Sequence, residues 1–294
     1  MSMSALDDKM YIVVIITMST FALLANTVFI FLIKHKTPKD LSAYSNLLLK
    51  SAYVDLFSAL CSALCVPRVE TAAGRIVFVH VGPCTLVAGF AQCVGLSILL
   101  LFISVVYRLR ILRAHTPFAR AIVNLQLLRA ATAATAFAAL SMPLFYGSGS
   151  YNIHGFSQHQ TISALDMTNG WLPRLSFLSI FVAFAPGLVG VFTVRRRLMT
   201  QLAKIQRRAE RQHHQMIYRS LSAQIVLPMA YCVAAAFWML DVTGVVRCAV
   251  LQRSVYVVTN LFSLVSPLTN MYYIPPYRRY LCTYFSRRSS PVSS

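Results

Sequence analysis

MYIVVIITMSTFALLANTVFIFLI, residues Met10 to Ile33, runs for 24 residues without a charge and stops against Lys34-His35-Lys36. A helix that crosses the hydrocarbon core of a bilayer needs about 20 mostly apolar residues, so this stretch is long enough for one span. It is too long for the apolar core of a signal peptide, and no small-residue cleavage site follows it. It reads as an uncleaved signal anchor. Working outward, six further apolar stretches follow: Ala43–Val66, Cys84–Val106, Ala130–Tyr146, Leu175–Val194, Ser220–Gly244 and Ser254–Ile274. Each is bounded by charge, Pro or Gly, and they are called spans one to seven below. Span four is the weakest, because Ala130–Ala139 is rich in Ala and Thr rather than Leu.

Composition agrees with that reading. Of 294 residues, 57% are AVILMFWYC and only 12% are charged, and the mean hydropathy is +0.63. A soluble domain carries about 25% charged residues, which excludes an ordinary cytosolic enzyme, a disordered tail and a collagen-like fibre. The 27 Lys and Arg against 8 Asp and Glu give a net charge of +19, a balance that suggests nucleic acid or an anionic membrane. Topology accounts for it instead. Twenty of these cations follow spans one, three, five and seven, six lie on the opposite side, and Lys50 is inside span two. Cytoplasmic loops hold the Lys/Arg excess, so the N-terminus is expected outside, the C-terminus in the cytoplasm, and no nucleic acid as partner. Seven Cys, mostly inside apolar runs, do not read as a disulfide scaffold. The expected fold is an all-α membrane protein, a seven-transmembrane helix bundle with a short amphipathic C-terminal helix. Residues 1–9 form the extracellular N-terminus, 10–274 the membrane domain and 275–294 the cytoplasmic helix and tail.

Several classes of seven-helix protein are excluded. A retinal protein needs a Lys in its last helix for the Schiff base, and Ser254–Ile274 contains none. Small sugar transporters repeat a three-helix unit, and residues 1–107 and 175–274 show no self-similarity. Insect-type odorant channels place the N-terminus inside, against the charge count. No nucleophile–base pair, phosphate loop or metal-ligand spacing occurs, so neither catalysis nor a cofactor is expected. His213 and His214 are adjacent, about 100° apart on a helix, and make a poor metal pair. What remains is a receptor that couples an outside ligand to a cytoplasmic partner, with a transporter or ligand-gated channel subunit as the alternative.

Four motifs sharpen this. Gly82-Pro83-Cys84 opens span three, which closes with Tyr107-Arg108-Leu109-Arg110. Span six starts with Gln224 and Pro228 four residues apart, and span seven runs into Pro276-Tyr277-Arg278. This set resembles the nematode serpentine chemoreceptors, in particular serpentine receptor class delta, over roughly residues 44–278. The resemblance implies a G-protein-coupled chemosensory receptor for a small odorant or pheromone, at the plasma membrane and in the sensory cilia of neurons. It also implies contact of Tyr107, Arg108 and Arg110 with a heterotrimeric G protein. The likeness to rhodopsin-like receptors is looser: Ala25-Asn26-Thr27-Val28 and Asp55-Leu56 look like their motifs in helices one and two. Their Asp-Arg-Tyr is replaced by Val106-Tyr107-Arg108, and their Asn-Pro-x-x-Tyr by Ser266-Pro267-Leu268-Thr269-Asn270.

Individual residues then carry specific expectations. Asp55 is near mid-membrane, where an ionisable group is a functional hypothesis with a partner to name. Asn26 and Asn270 are the expected partners, with Ser266 and Pro267, in a polar hub that either rearranges on activation, around a sodium ion, or acts as static glue. Lys50 is expected to snorkel to the headgroups. Pro186, Pro228 and Pro267 are hinges or fixed bends. Tyr277, Tyr280, Leu281, Tyr284 and Phe285 form one stripe beside Arg278, Arg279, Arg287 and Arg288, which suits a helix lying on membrane lipids. Cys282 beside it is either palmitoylated or free. Cys84 and Cys248 are the outer cysteines available for a bridge. A ligand pocket between spans three, five, six and seven has Phe90, Gln92, Phe177, Phe181, Trp238, Asp241 and Tyr256 as candidates.

Overall fold

The structure, a computed structural model, describes residues 5–37, 42–72, 75–80, 117–147, 149–150, 161–165 and 249–289. It also describes separate helical positions within 93–110 and 189–200 and at 171, 236 and 240. Span one is the helix Ala5–Lys36. Its buried residues include Tyr11, Ile15, Ser19, Ala22, Asn26, Phe29 and Leu32, at steps of three and four along one face. Val13, Ile16, Phe21, Leu24, Val28 and Phe31 are exposed on the other. A helix that buries Ser and Asn while exposing Phe and Leu is turned toward lipid, which is as apolar as its own side chains. Among the described residues three helical stretches are long and apolar enough to cross a membrane: Lys9–Lys36, Tyr44–Cys65 and Phe118–Leu140.

Span two is the helix Ser42–Cys65. It ends at Val66, whose φ of 40° is left-handed and whose N–H bonds the Ser62 carbonyl at 2.9 Å. A Cβ-bearing residue in that conformation costs roughly 1–2 kcal/mol, offset here by complete burial of the Val66 side chain. Pro67 follows and biases its predecessor away from the right-handed helix, so the chain turns sharply into a strand.

Among the described residues, four strands then add to the expected bundle. β1 (Pro67–Ala72), β2 (Arg75–His80), β3 (Gly149–Ser150) and β4 (Thr161–Leu165) form an antiparallel sheet in the order β1-β2-β4-β3. The register pairs Val69 with Phe78 and Phe78 with Ser163, and β1 packs on the helix of span seven. The sheet therefore ties the segment after span two to the segment after span four, at the end of the bundle away from Lys34–Lys36.

Span four begins earlier than its apolar composition indicates, as the helix Pro117–Gly147. Pro117 stands at the first helical position, where its missing N–H is no loss. Span seven is the helix Ala249–Tyr273, with the buried Pro267 inside it. It breaks at Ile274, and Pro275 and Pro276 start the C-terminal helix Pro275–Ser289, again without a donor to waste. The helix of span one packs along those of spans two and seven, whereas that of span four touches span two only lightly. Between spans three and five the approach is close: the Phe102 ring fills the space a Cβ at Gly190 would need.

Candidate functional site

Asp55 is buried on span two, one helical position in a face that also buries Ala52, Ser58, Ala59 and Ser62. Ser97 of span three donates from Oγ to Asp55 Oδ1 at 2.9 Å, and the Ser266 side chain of span seven is its second hydrogen-bond partner. The carboxyl is thus shared by three helices. Ser97 belongs to the buried series Cys93, Ser97, Leu100 and Ser104, whose helical spacing points it inward. A small cavity of about 30 Å³ adjoins the site, lined by Ser51, Ser97, Ser104, Ser266 and Asn270 among others. That is room for one or two water molecules with several polar partners.

Of the hub expected around Asp55 from sequence, Ser266 bonds the carboxyl, and Asn26 is engaged elsewhere. Asn26 donates from Nδ2 to the carbonyls of Ala22 and Ser263, both at 2.9 Å, and its buried Oδ1 has no partner. It therefore links spans one and seven rather than bonding Asp55. Asn270 donates to the Ser266 carbonyl one turn back at 3.1 Å, and it lines the cavity. Asn26 thus spends its amide on backbone carbonyls, and serine hydroxyls from spans three and seven bond Asp55 instead.

Sequence reasoning missed a second polar node, centred on Asn260. Its Nδ2 donates to Ser62 Oγ at 2.7 Å and to the Tyr256 carbonyl at 3.1 Å, and its Oδ1 accepts from Ser19 Oγ at 3.3 Å. Spans one, two and seven meet there. The signal was present: Asn260, Ser263, Ser266 and Asn270 recur at steps of three and four, a polar stripe on an otherwise apolar helix.

At the basic end, Tyr107 stacks on Tyr44 with ring centroids 6.2 Å apart and donates its hydroxyl to Asn124 at 3.1 Å. Burial pushes the Tyr107 phenol above the usual tyrosine range, so it remains a donor. Arg110 is exposed and donates to Gln126 of span four. Tyr277 is buried edge-on against Phe29 at 5.8 Å, and its hydroxyl and that of Thr37 share a 2.8 Å bond. Burial raises its pKa too, with the Thr37 bond acting the other way. The Lys36 ammonium lies 4.5 Å from the Tyr280 ring. The C-terminal stripe is thus anchored to span one at Tyr277, while Tyr284 is exposed.

Tyr256 is buried on span seven, and the Arg253 guanidinium one turn before it lies over the Tyr11 ring at 5.3 Å. Cys282 is exposed, and Cys61, Cys65 and Cys93 are buried thiols. Lys50 reaches across to Thr132 of span four at 3.4 Å. Phe90, Gln92, Phe177, Phe181, Trp238 and Asp241, together with Arg108, Cys84, Cys248, Pro186 and Pro228, fall outside the described residues.

A multi-pass helical membrane protein whose polar side chains converge between helices, with many large apolar ones exposed on the outer faces, is the class this architecture defines. Within that class, residues 11–283 match the family described as serpentine type 7TM GPCR chemoreceptor Srd, and the chain belongs to it. It is similar to three proteins of Caenorhabditis elegans. Serpentine receptor class delta-18 is 26% identical over 86% of this chain and 82% of its own length. Serpentine receptor class delta-19 is 23% identical over 86% and 81%, and serpentine receptor class delta-3 is 22% identical over 95% and 88%.

Proposed function

We propose that this chemoreceptor-family protein binds a small odorant or pheromone from outside and signals through a heterotrimeric G protein at its basic end. The N-terminus faces the exterior and the Lys/Arg-rich end the cytoplasm, in the plasma membrane and in a sensory cilium. Ligand contacts come from Phe90, Gln92, Phe177, Phe181, Trp238, Asp241 and Tyr256. The cavity beside Asp55, at about 30 Å³, is far below the several hundred Å³ a small-molecule site needs, so the ligand acts on that node from a distance.

One observation carries this reading: Asp55 is held by Ser97 and Ser266 from two other helices. Span seven cannot shift against spans two and three without changing those bonds. A ligand that favours the shifted arrangement moves the population toward it. Tyr107 then leaves Asn124, and Arg108 and Arg110 meet the G protein. The C-terminal helix, with Cys282 as its exposed thiol, rests on the inner leaflet.

The test is a panel of odorants and pheromones applied to cells expressing the receptor, with G-protein activation as readout. A ligand-dependent signal that drops at least about tenfold in Arg108→Ala, at unchanged surface level, supports the assignment; about 1.4 kcal/mol of lost coupling accounts for such a drop. A ligand-evoked current that persists without G protein points to the channel alternative.

A further inference from the structure

Toward the bundle, span four buries Leu127, Ala131, Ala134 and Ala138, one large side chain and three methyl groups. So thin a seam leaves its basic half to be held by polar contacts, and two of these come from span three. Tyr107 and Arg110 stand three residues apart and share one face of that helix. The half-buried Tyr107 donates its hydroxyl to Oδ1 of the half-buried Asn124 at 3.1 Å, with its ring stacked on Tyr44 of span two. Arg110 donates from Nη1 to Oε1 of the exposed Gln126. Asn124 and Gln126 are two residues apart, about 160° around the helix, so the two bonds grip span four from opposite flanks. Both acceptors are neutral. Residues 107–129 contain no Asp or Glu, so no carboxylate of this segment competes for either donor.

We propose that Asn124 and Gln126 form an autoinhibitory clamp, which occupies two of the side chains offered to the G protein. This rests on the receptor reading and names the regulation of its basic end: span four and the G protein compete for Tyr107 and Arg110. Amide acceptors suit that competition. They hold the phenol and the guanidinium by single hydrogen bonds, where a carboxylate would hold the guanidinium more tightly. An acidic surface arriving from the cytoplasm can therefore displace them. Span four thus keeps resting coupling low in a chain where Val106 stands in place of the acid of rhodopsin-like receptors.

The test uses full-length receptor in nanodiscs without ligand. It reads nucleotide exchange on purified heterotrimeric G protein and, independently, amide hydrogen exchange over residues 117–130. Asn124→Ala should raise basal nucleotide exchange about fivefold, the population shift that loss of one ordinary hydrogen bond gives, and should speed hydrogen exchange in that segment. Asn124→Asp keeps an acceptor and should stay at or below the parent. Gln126→Glu gives Arg110 an anion and should lower basal nucleotide exchange about twofold, as an exposed ion pair allows. Adding Tyr107→Phe to Asn124→Ala should not change hydrogen exchange further, since both remove the same bond. Nucleotide exchange that the parent supports and Asn124→Ala leaves unchanged overturns the clamp alone. So does hydrogen exchange that Asn124→Ala leaves unchanged, or a Gln126→Glu receptor more active than the parent. No nucleotide exchange with any variant, parent included, overturns the receptor reading, and the clamp falls with it.

Discussion

Asn260 and Ser266 stand six residues apart on one helix, yet they serve nodes of different character. At Asn260 both amide hydrogens and the carbonyl oxygen are engaged, by Ser62, Tyr256 and Ser19, and three helices are fixed together. At Asp55 the carboxyl meets two serine hydroxyls beside a water-sized cavity. A filled node has little to exchange, whereas a node with spare volume beside it has room to change partners. On that difference we propose that Asp55 is the switching group, whereas Asn260 holds its three helices together.

The largest stability effect is expected at the switch node. Ser97→Ala takes one of the two hydroxyls from a buried carboxyl, and leaving such a group unsatisfied costs about 1–3 kcal/mol. Thermal unfolding of the purified receptor should register that loss, together with an altered basal signal. If stability falls while basal and evoked signals stay as they were, the node is structural. Asn260→Ala should cost somewhat less, about 1–2 kcal/mol, since hydrogen bonds between membrane helices average well under that each. Evoked signal per receptor at the surface should be retained, and its disappearance would erase the distinction drawn between the nodes.

Tyr277→Phe offers the mildest perturbation, about 1 kcal/mol from the lost Thr37 bond. It also tests a pH effect. The folded protein holds the Tyr277 phenol above its ordinary pKa, so the folded state binds the proton more tightly than the unfolded one. Stability therefore falls as pH rises through and past the ordinary tyrosine range. Tyr277→Phe should flatten that decline, and an unchanged slope would assign it to another group.

Much of the fold was legible because bilayer thickness imposes a length and lipid imposes an apolar composition. Span one shows this best, with its charge-free run from Met10 to Ile33. Span four was legible only in part: the first half of Pro117–Gly147 carries Arg120, Asn124, Gln126 and Arg129 among its apolar residues, and these polar side chains hide the start of a helix when only unbroken apolar runs are counted. The sheet escaped because strands in short connecting segments have no lipid to give them periodicity, although Ile76-Val77-Phe78-Val79 is β-prone. Asp55 stood out as a lone acid in an apolar run. Ser97 did not, since serine is common in membrane helices and only the packing of span three against span two shows which hydroxyl meets the carboxyl.

Surface-normalised G-protein activation by Asp55→Asn, measured beside the parent receptor with the same agonist, tests the central claim most directly. Asparagine keeps the shape and can still bond Ser97 and Ser266, so the folded level should match the parent while the evoked response is reduced at least about tenfold, or about 1.4 kcal/mol of coupling. A response equal to the parent's at equal surface level would contradict the assignment of Asp55 as the switching group.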